Sequence, residues 1–158
     1  MAIKTSAGTQ VYIGPATSAS TVSALSALTY VEIKKVESLG DIGPESQDVT
    51  FTPLGGDDVQ HLKGATDNGT TAIVVGREPL DPGQIALKAA SLTKLEYALK
   101  IVIPDANDGN DTDTTIYVRG PVMGGRLNIG GGNDVTKATY GVGNNVYHQV
   151  DSVAVSGP

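Results

Sequence analysis

The sequence predicts a mainly β protein with one or two short helices, and three observations carry that prediction. Hydrophobic residues make up 39% of the 158 positions, yet there is no Trp, one Phe (Phe51) and six Tyr. Packing must therefore rest on Val, Ile, Leu and Ala, and the β-branched members of that set suit a pleated sheet. Twenty Gly and eight Pro demand many turns. Residues 95–103 alternate strictly, with Leu95, Tyr97, Leu99, Ile101 and Ile103 on one face and Glu96, Ala98, Lys100 and Val102 on the other.

In chain order, residues 10–14 form a short strand closed by Gly14-Pro15. Residues 16–28 place Val22, Leu25 and Leu28 three apart, which permits a helical turn or two against the grain of their Ser, Thr and Val content. Residues 29–39 read as one strand, Thr29, Val31, Ile33 and Lys35 facing one way and Tyr30, Glu32, Lys34 and Val36 the other. Residues 40–48, rich in Gly, Asp and Ser with Pro44, form a loop. Phe51 lies in the strand that follows, and Pro53 stops it or marks an edge. Asn68-Gly69 predicts the turn of a hairpin joining 61–66 to 70–76, because Asn-Gly supplies the positive φ angles such a turn needs.

Asp81-Pro82-Gly83-Gln84 opens a helix over 82–92: Asp81 caps it, Pro82 suits its first position, and Gln84 stands where a capping-box partner belongs. Ile85, Ala89 and Leu92 share a face that should lie against a sheet. After 95–103, strands are expected over 114–119, 126–129, 135–142 and 146–155, giving eight or so strands in all. No repeat of 20 to 50 residues and no linker divides the chain. Residues 1–158 are read as one domain, a size at which about 68 to 70% of the unfolded surface is buried.

Zero cysteines exclude a disulfide framework, a thiolate zinc site and a catalytic thiol. The N-terminus lacks the apolar run of a signal peptide, and no stretch approaches the roughly 20 apolar residues of a membrane span. The expectation is a soluble protein made in a cytoplasm. Eleven Lys and Arg against 17 Asp and Glu leave a formal charge of -6, which opposes tight binding to a phosphate backbone.

No motif carries chemistry. Asp105 to Asp113 clusters oxygens as a calcium loop does, but its spacing departs from the EF-hand and strands flank it. It reads as a solvated hairpin loop, with a structural cation as the alternative. Gly130-Gly131-Gly132 precedes a strand and not a helix, so it reads as a turn and not as a phosphate cradle. His61 and His148 stand in no nucleophile–base or zinc pattern, and Asp57-Asp58 lacks the second acid that glycoside chemistry needs. Lys34-Lys35 is the one adjacent basic pair, and the aromatic residues form no interleaved stacking pattern. Catalytic, cofactor-binding and metal-ligating residues are all expected to be absent.

The sequence resembles the tail-tube proteins of long-tailed bacteriophages with non-contractile tails. The resemblance runs over about residues 10–149 and rests on ordered words: Leu28-Thr29-Tyr30-Val31-Glu32-Ile33 leading to Glu37-Ser38-Leu39-Gly40, then Val49-Thr50-Phe51-Thr52-Pro53-Leu54, His61-Leu62-Lys63-Gly64, Asp81-Pro82-Gly83-Gln84 and Thr115-Ile116-Tyr117-Val118-Arg119-Gly120. It implies a β-sandwich or barrel-like subunit with one flanking α-helix, assembled as hexameric rings stacked into a tube. Two hairpins per subunit would line an inner barrel, and the loops 40–48 and 105–113 would reach between rings or outward. Implied partners are further copies of the chain, a tape-measure protein and tail-end proteins, with viral DNA passing through without specific binding and no membrane contact. The implied place is the virion tail, after assembly in the bacterial host cytoplasm. A ring of six copies would carry six times the charge of one, so its bore would repel DNA. The alternatives are the tube of a type VI secretion or contractile injection system, or a surface carbohydrate-binding β-sandwich, which the 4% aromatic content disfavours.

Overall fold

The computed structural model describes residues 3–107 and 109–153. Ten strands and two helices run in the order β1 (Gln10–Ala16), α1 (Val22–Ser26), β2 (Val31–Ile33), β3 (Val36–Ser38), β4 (Glu45–Phe51), β5 (Gln60–Asp67), β6 (Thr70–Gly76), α2 (Pro82–Ser91), β7 (Glu96–Ile103), β8 (Thr114–Asn128), β9 (Lys137–Gly143) and β10 (Val146–Val150). The architecture is mainly β, as the composition predicts. All pairings are antiparallel, in the order β2-β1-β7-β8-β9-β6-β3 with β10 on β8, and β4 and β5 form a separate two-stranded ribbon.

The long strand β8 makes this path two layers. Its first half pairs with β7 and β10, its second half with β9, and the register shifts between Val122 and Gly125. The break expected at Gly120-Pro121 therefore does not occur. A Cβ at Gly120 would stand 1.5 Å from the Gly143 carbonyl oxygen, so glycine lets β8 pass that backbone. The core between the layers is aliphatic apart from Tyr140: Val11, Ile13, Ile33, Leu99, Ile101 and Val118 from one layer meet Ile73, Val75 and Val142 from the other, with Leu87 of α2 closing one side.

Three local expectations are corrected. Residues 29–39 are two strands, because the chain leaves one sheet edge and joins the other: β2 pairs β1, β3 pairs β6, and between them Lys35 takes a φ of 62°. Asn68-Gly69 does not close a hairpin. Gly69 has a φ of 72°, but Asn68 lacks the second positive φ that the tight turn requires. β5 instead pairs back to β4, and β6 pairs with β9. The crossover is fastened to the β9–β10 turn, where buried Asn144 donates from Nδ2 to Thr71 Oγ1 (2.9 Å) and to the Asn68 carbonyl (3.3 Å), and its N–H reaches the Gly69 carbonyl. Part of the loop expected over 40–48 is strand, since β4 begins at Glu45.

A fourth correction concerns α2. Its position and cap agree with the sequence: Asp81 accepts from the Gln84 N–H at 3.1 Å and Pro82 sits in the first turn. The face does not. Gly83, Gln84, Leu87 and Ala90 are buried, whereas Ile85 and Leu92 are 53% and 79% exposed. A Cβ at Gly83 would lie 2.1 Å from the Glu32 carbonyl oxygen, so the helix is seated tightly on β2. Gln84 does not complete a capping box. Its Oε1 accepts from the Glu78 N–H (2.9 Å), and its Nε2 donates to the carbonyls of Lys34 (3.0 Å) and Gly76 (2.9 Å). Asp81 also accepts from the Lys34 N–H. The helix N-terminus thus clamps the β2–β3 crossover to the end of β6. The last two strands are shorter than expected, β9 starting at Lys137 and β10 ending at Val150; residues 154–155 of the expected strand lie outside the described residues.

Candidate assembly interface

The loop carboxylates, glycine run and histidines flagged from sequence for chemistry are dispersed and already engaged. In the 105–113 loop, Asp105 accepts from the Thr114 N–H (2.8 Å) and hydroxyl (2.6 Å), Asp113 from the Ala106 N–H and Asp111 from the Asn107 N–H. These carboxylates order the loop's own backbone, and the Thr114 bonds hold Asp105 below its ordinary carboxylate range. Asp108 lies outside the described residues. In the glycine run, Asp134 accepts from the Gly131 N–H at 2.7 Å, so a carboxylate sits where a phosphate would bind. His61 Nδ1 is 2.8 Å from Asp48 on the exposed ribbon, and His148 Nε2 donates to the Ser20 carbonyl at 2.6 Å. Among the described residues, no three His, Asp or Glu are grouped to hold a metal ion, and no helix is long and apolar enough to cross a membrane.

Pairing does gather one set that looked scattered. Glu32, Tyr12, Lys100, Tyr117 and His148 form a cross-strand row over β2, β1, β7, β8 and β10. Lys100 Nζ lies 4.5 Å from the Tyr12 ring centre and 5.0 Å from that of Tyr30. Both rings are thereby occupied by a cation of the same chain. Tyr30 donates to the Leu25 carbonyl at 2.7 Å, and burial, with Tyr117 nearby, pushes its pKa up to about 12. The 17–30 segment is pinned over this face by Arg119, whose Nη1 donates to the Ser18 and Ala19 carbonyls and whose Nε stands 3.5 Å from Glu96. The row is a structural seam. An open cleft of about 870 Å³ where the layers splay, floored by Val11, Ile101 and Ile116, contains one carboxylate, Glu37, which is paired to Lys137.

The unsatisfied surfaces are apolar. In the ribbon, Val49 stands opposite Leu62, with Phe51 two residues along β4 on the same face, while Asp48, His61 and Lys63 occupy the other. Such alternation ordinarily marks a half-buried sheet. Here Val49, Phe51 and Leu62 are 46%, 55% and 56% exposed, and the connecting loop exposes Leu54 and Val59 as well. A second such surface lies beside α2. Its outward residues Ile85, Ala89 and Leu92 face Ala138 and Tyr140 of β9 across an open groove of about 370 Å³, with Arg77, Glu78 and Lys88 also lining it. The stripe that sequence periodicity assigned to the sheet is therefore a groove wall.

No protein-family model and no curated protein sequence matches the chain. Solved structures do. The fold is that of tail-tube and injection-system proteins. The chain is similar to a chain of the PVC sheath/tube terminator structure of an extracellular contractile injection system in its extended state, at a TM-score of 0.69 and 10% identity over 95% of this chain and 98% of that one. It is similar to a chain of the anti-feeding prophage baseplate, at 0.67 and 9% identity over 96% and 97%. It is also similar to the SPP1 tail tube, at 0.64 and 10% identity over 93% and 78%.

Proposed function

We propose that the chain, residues 1–158 as one domain, is a structural tail-tube subunit of a long-tailed phage with a non-contractile tail, and not an enzyme. In this reading it assembles as hexameric rings stacked into the tube that conducts viral DNA. Its partners are further copies, a tape-measure protein and tail-end proteins. It is assembled in the bacterial cytoplasm and ends in the virion tail. Support for the fold comes from the full-length likeness to tube and tail structures. The observation that carries assembly is the amphipathic β4–β5 ribbon, whose apolar face stays about half exposed among the described residues. A ribbon of two strands is marginally stable by itself, and an exposed strand pair is a template for another copy.

Negative-stain electron microscopy of the purified protein at high concentration tests the reading. The expected result is long tubes with a central channel. Particles that stay monomeric, both alone and with preformed tail ends supplied as nucleators, overturn it. A second reading, a tube in a contractile injection particle, is favoured by the PVC and anti-feeding prophage likenesses.

A further inference from the structure

The two uncovered surfaces match each other in polarity and charge. One is a projection, a ribbon whose strand β4 runs seven residues or roughly 23 Å, with Val49, Phe51 and Leu62 along one face and Leu54 at its tip. The other is a recess, the groove between Ile85, Ala89 and Leu92 of α2 and Tyr140 of β9. The ribbon loop carries two adjacent acids, Asp57 and Asp58, and no base between Phe51 and Gln60. The groove carries Arg77 and Lys88 against the single acid Glu78.

We infer that the β4–β5 ribbon of one copy docks into the α2–β9 groove of the next, with Asp57 and Asp58 facing Arg77 and Lys88. Because projection and recess are different parts of one chain, the contact is head-to-tail, and it closes into a ring when the rotation between copies closes. Charge pairing sets the register, and burial of the apolar ribbon face supplies the driving force. This inference rests on the tube reading and names the surfaces that carry it.

The chain has no cysteine, so introduced thiols report the contact directly. Leu54 and Leu92 are 109% and 79% exposed, and neither L54C nor L92C disturbs the core. In the double variant, assembled and treated with a short bis-maleimide, denaturing gels are expected to show a ladder of covalent multimers. Each single variant joins two copies at most. Asp57→Lys with Asp58→Lys is expected to raise the concentration needed for assembly about ten-fold, and Arg77→Glu with Lys88→Glu in the same chain is expected to restore it. Tubes in micrographs without a ladder, although both thiols label fully before assembly, overturn the docking and leave the tube reading standing. Absence of any multimer in micrographs and gels alike, with preformed tail ends supplied as nucleators, overturns both.

Discussion

At the scale of single residues, the structure is decided by a few polar side chains that bridge elements remote in sequence. Gln84 is the clearest. Buried at 7% exposure, it satisfies three backbone groups from the 76–78 stretch and the β2–β3 crossover. Removing it leaves those groups in a dry site, so Gln84→Ala is expected to cost about 2 to 4 kcal/mol of stability, read by urea unfolding. Its neighbour on the surface, Lys88→Ala, is expected to change stability by less than about 0.5 kcal/mol. Tyr30 makes a pH-dependent contribution. Folded, it holds its proton up to about 12, whereas its ordinary value is 10.0. A raised pKa means that the folded state keeps a proton the unfolded chain releases. That stabilisation is complete below pH 10 and lost as pH rises between 10 and about 12. Tyr30→Phe is expected to flatten the fall in melting temperature across that window. Cap residue, turn glycine and candidate strand faces were all legible from residue types and spacing. The Gln84 bridges were not, because their partners lie 6 to 50 positions away and the local pattern offered a capping box as a simpler use.

At the scale of elements, periodicity located α2 and β7 well and assigned the helix face wrongly. The reason is instructive: Ile85, Ala89 and Leu92 form the more hydrophobic stripe, but Gly83 allows approach to β2 that no other side chain would permit, and Leu87 fills the core beneath it. Close approach outweighs total hydrophobicity when a second, external surface can take the larger apolar stripe. The ribbon makes the complementary point. Its alternation is that of a strand pair with one face packed away, yet among the described residues that face stays about half exposed. Amide hydrogen exchange is expected to be fast across β4 and β5 in the monomer, while β7 and the first half of β8 are protected. On assembly the ribbon amides are expected to slow by at least about ten-fold, whereas slow exchange in the monomer would mean that the ribbon is stable without a neighbour.

At the scale of the whole molecule, the path matters more than the inventory of strands. β8 serves both layers, and the crossover at Lys34-Lys35 carries the chain from one sheet edge to the other, so the two layers cannot separate without breaking β8. Such a body tolerates an uncovered ribbon and groove on its surface, since Val49, Phe51 and Leu62 of the ribbon and Ile85 and Leu92 of the groove lie outside its buried core. It also carries a formal charge of -6, which keeps single copies apart until local contacts as specific as those of ribbon and groove bring them together. The tubes expected by electron microscopy are therefore a property of surfaces and not of the core. The sequence alone determined the β class and the capped helix, because these depend on residue types and short spacings. Strand partners, the buried side of α2 and the meeting of Lys100 with Tyr12 and Tyr30 were decided only in the tertiary structure. Each of those depends on which distant backbones approach, and alternation and helical period are blind to that.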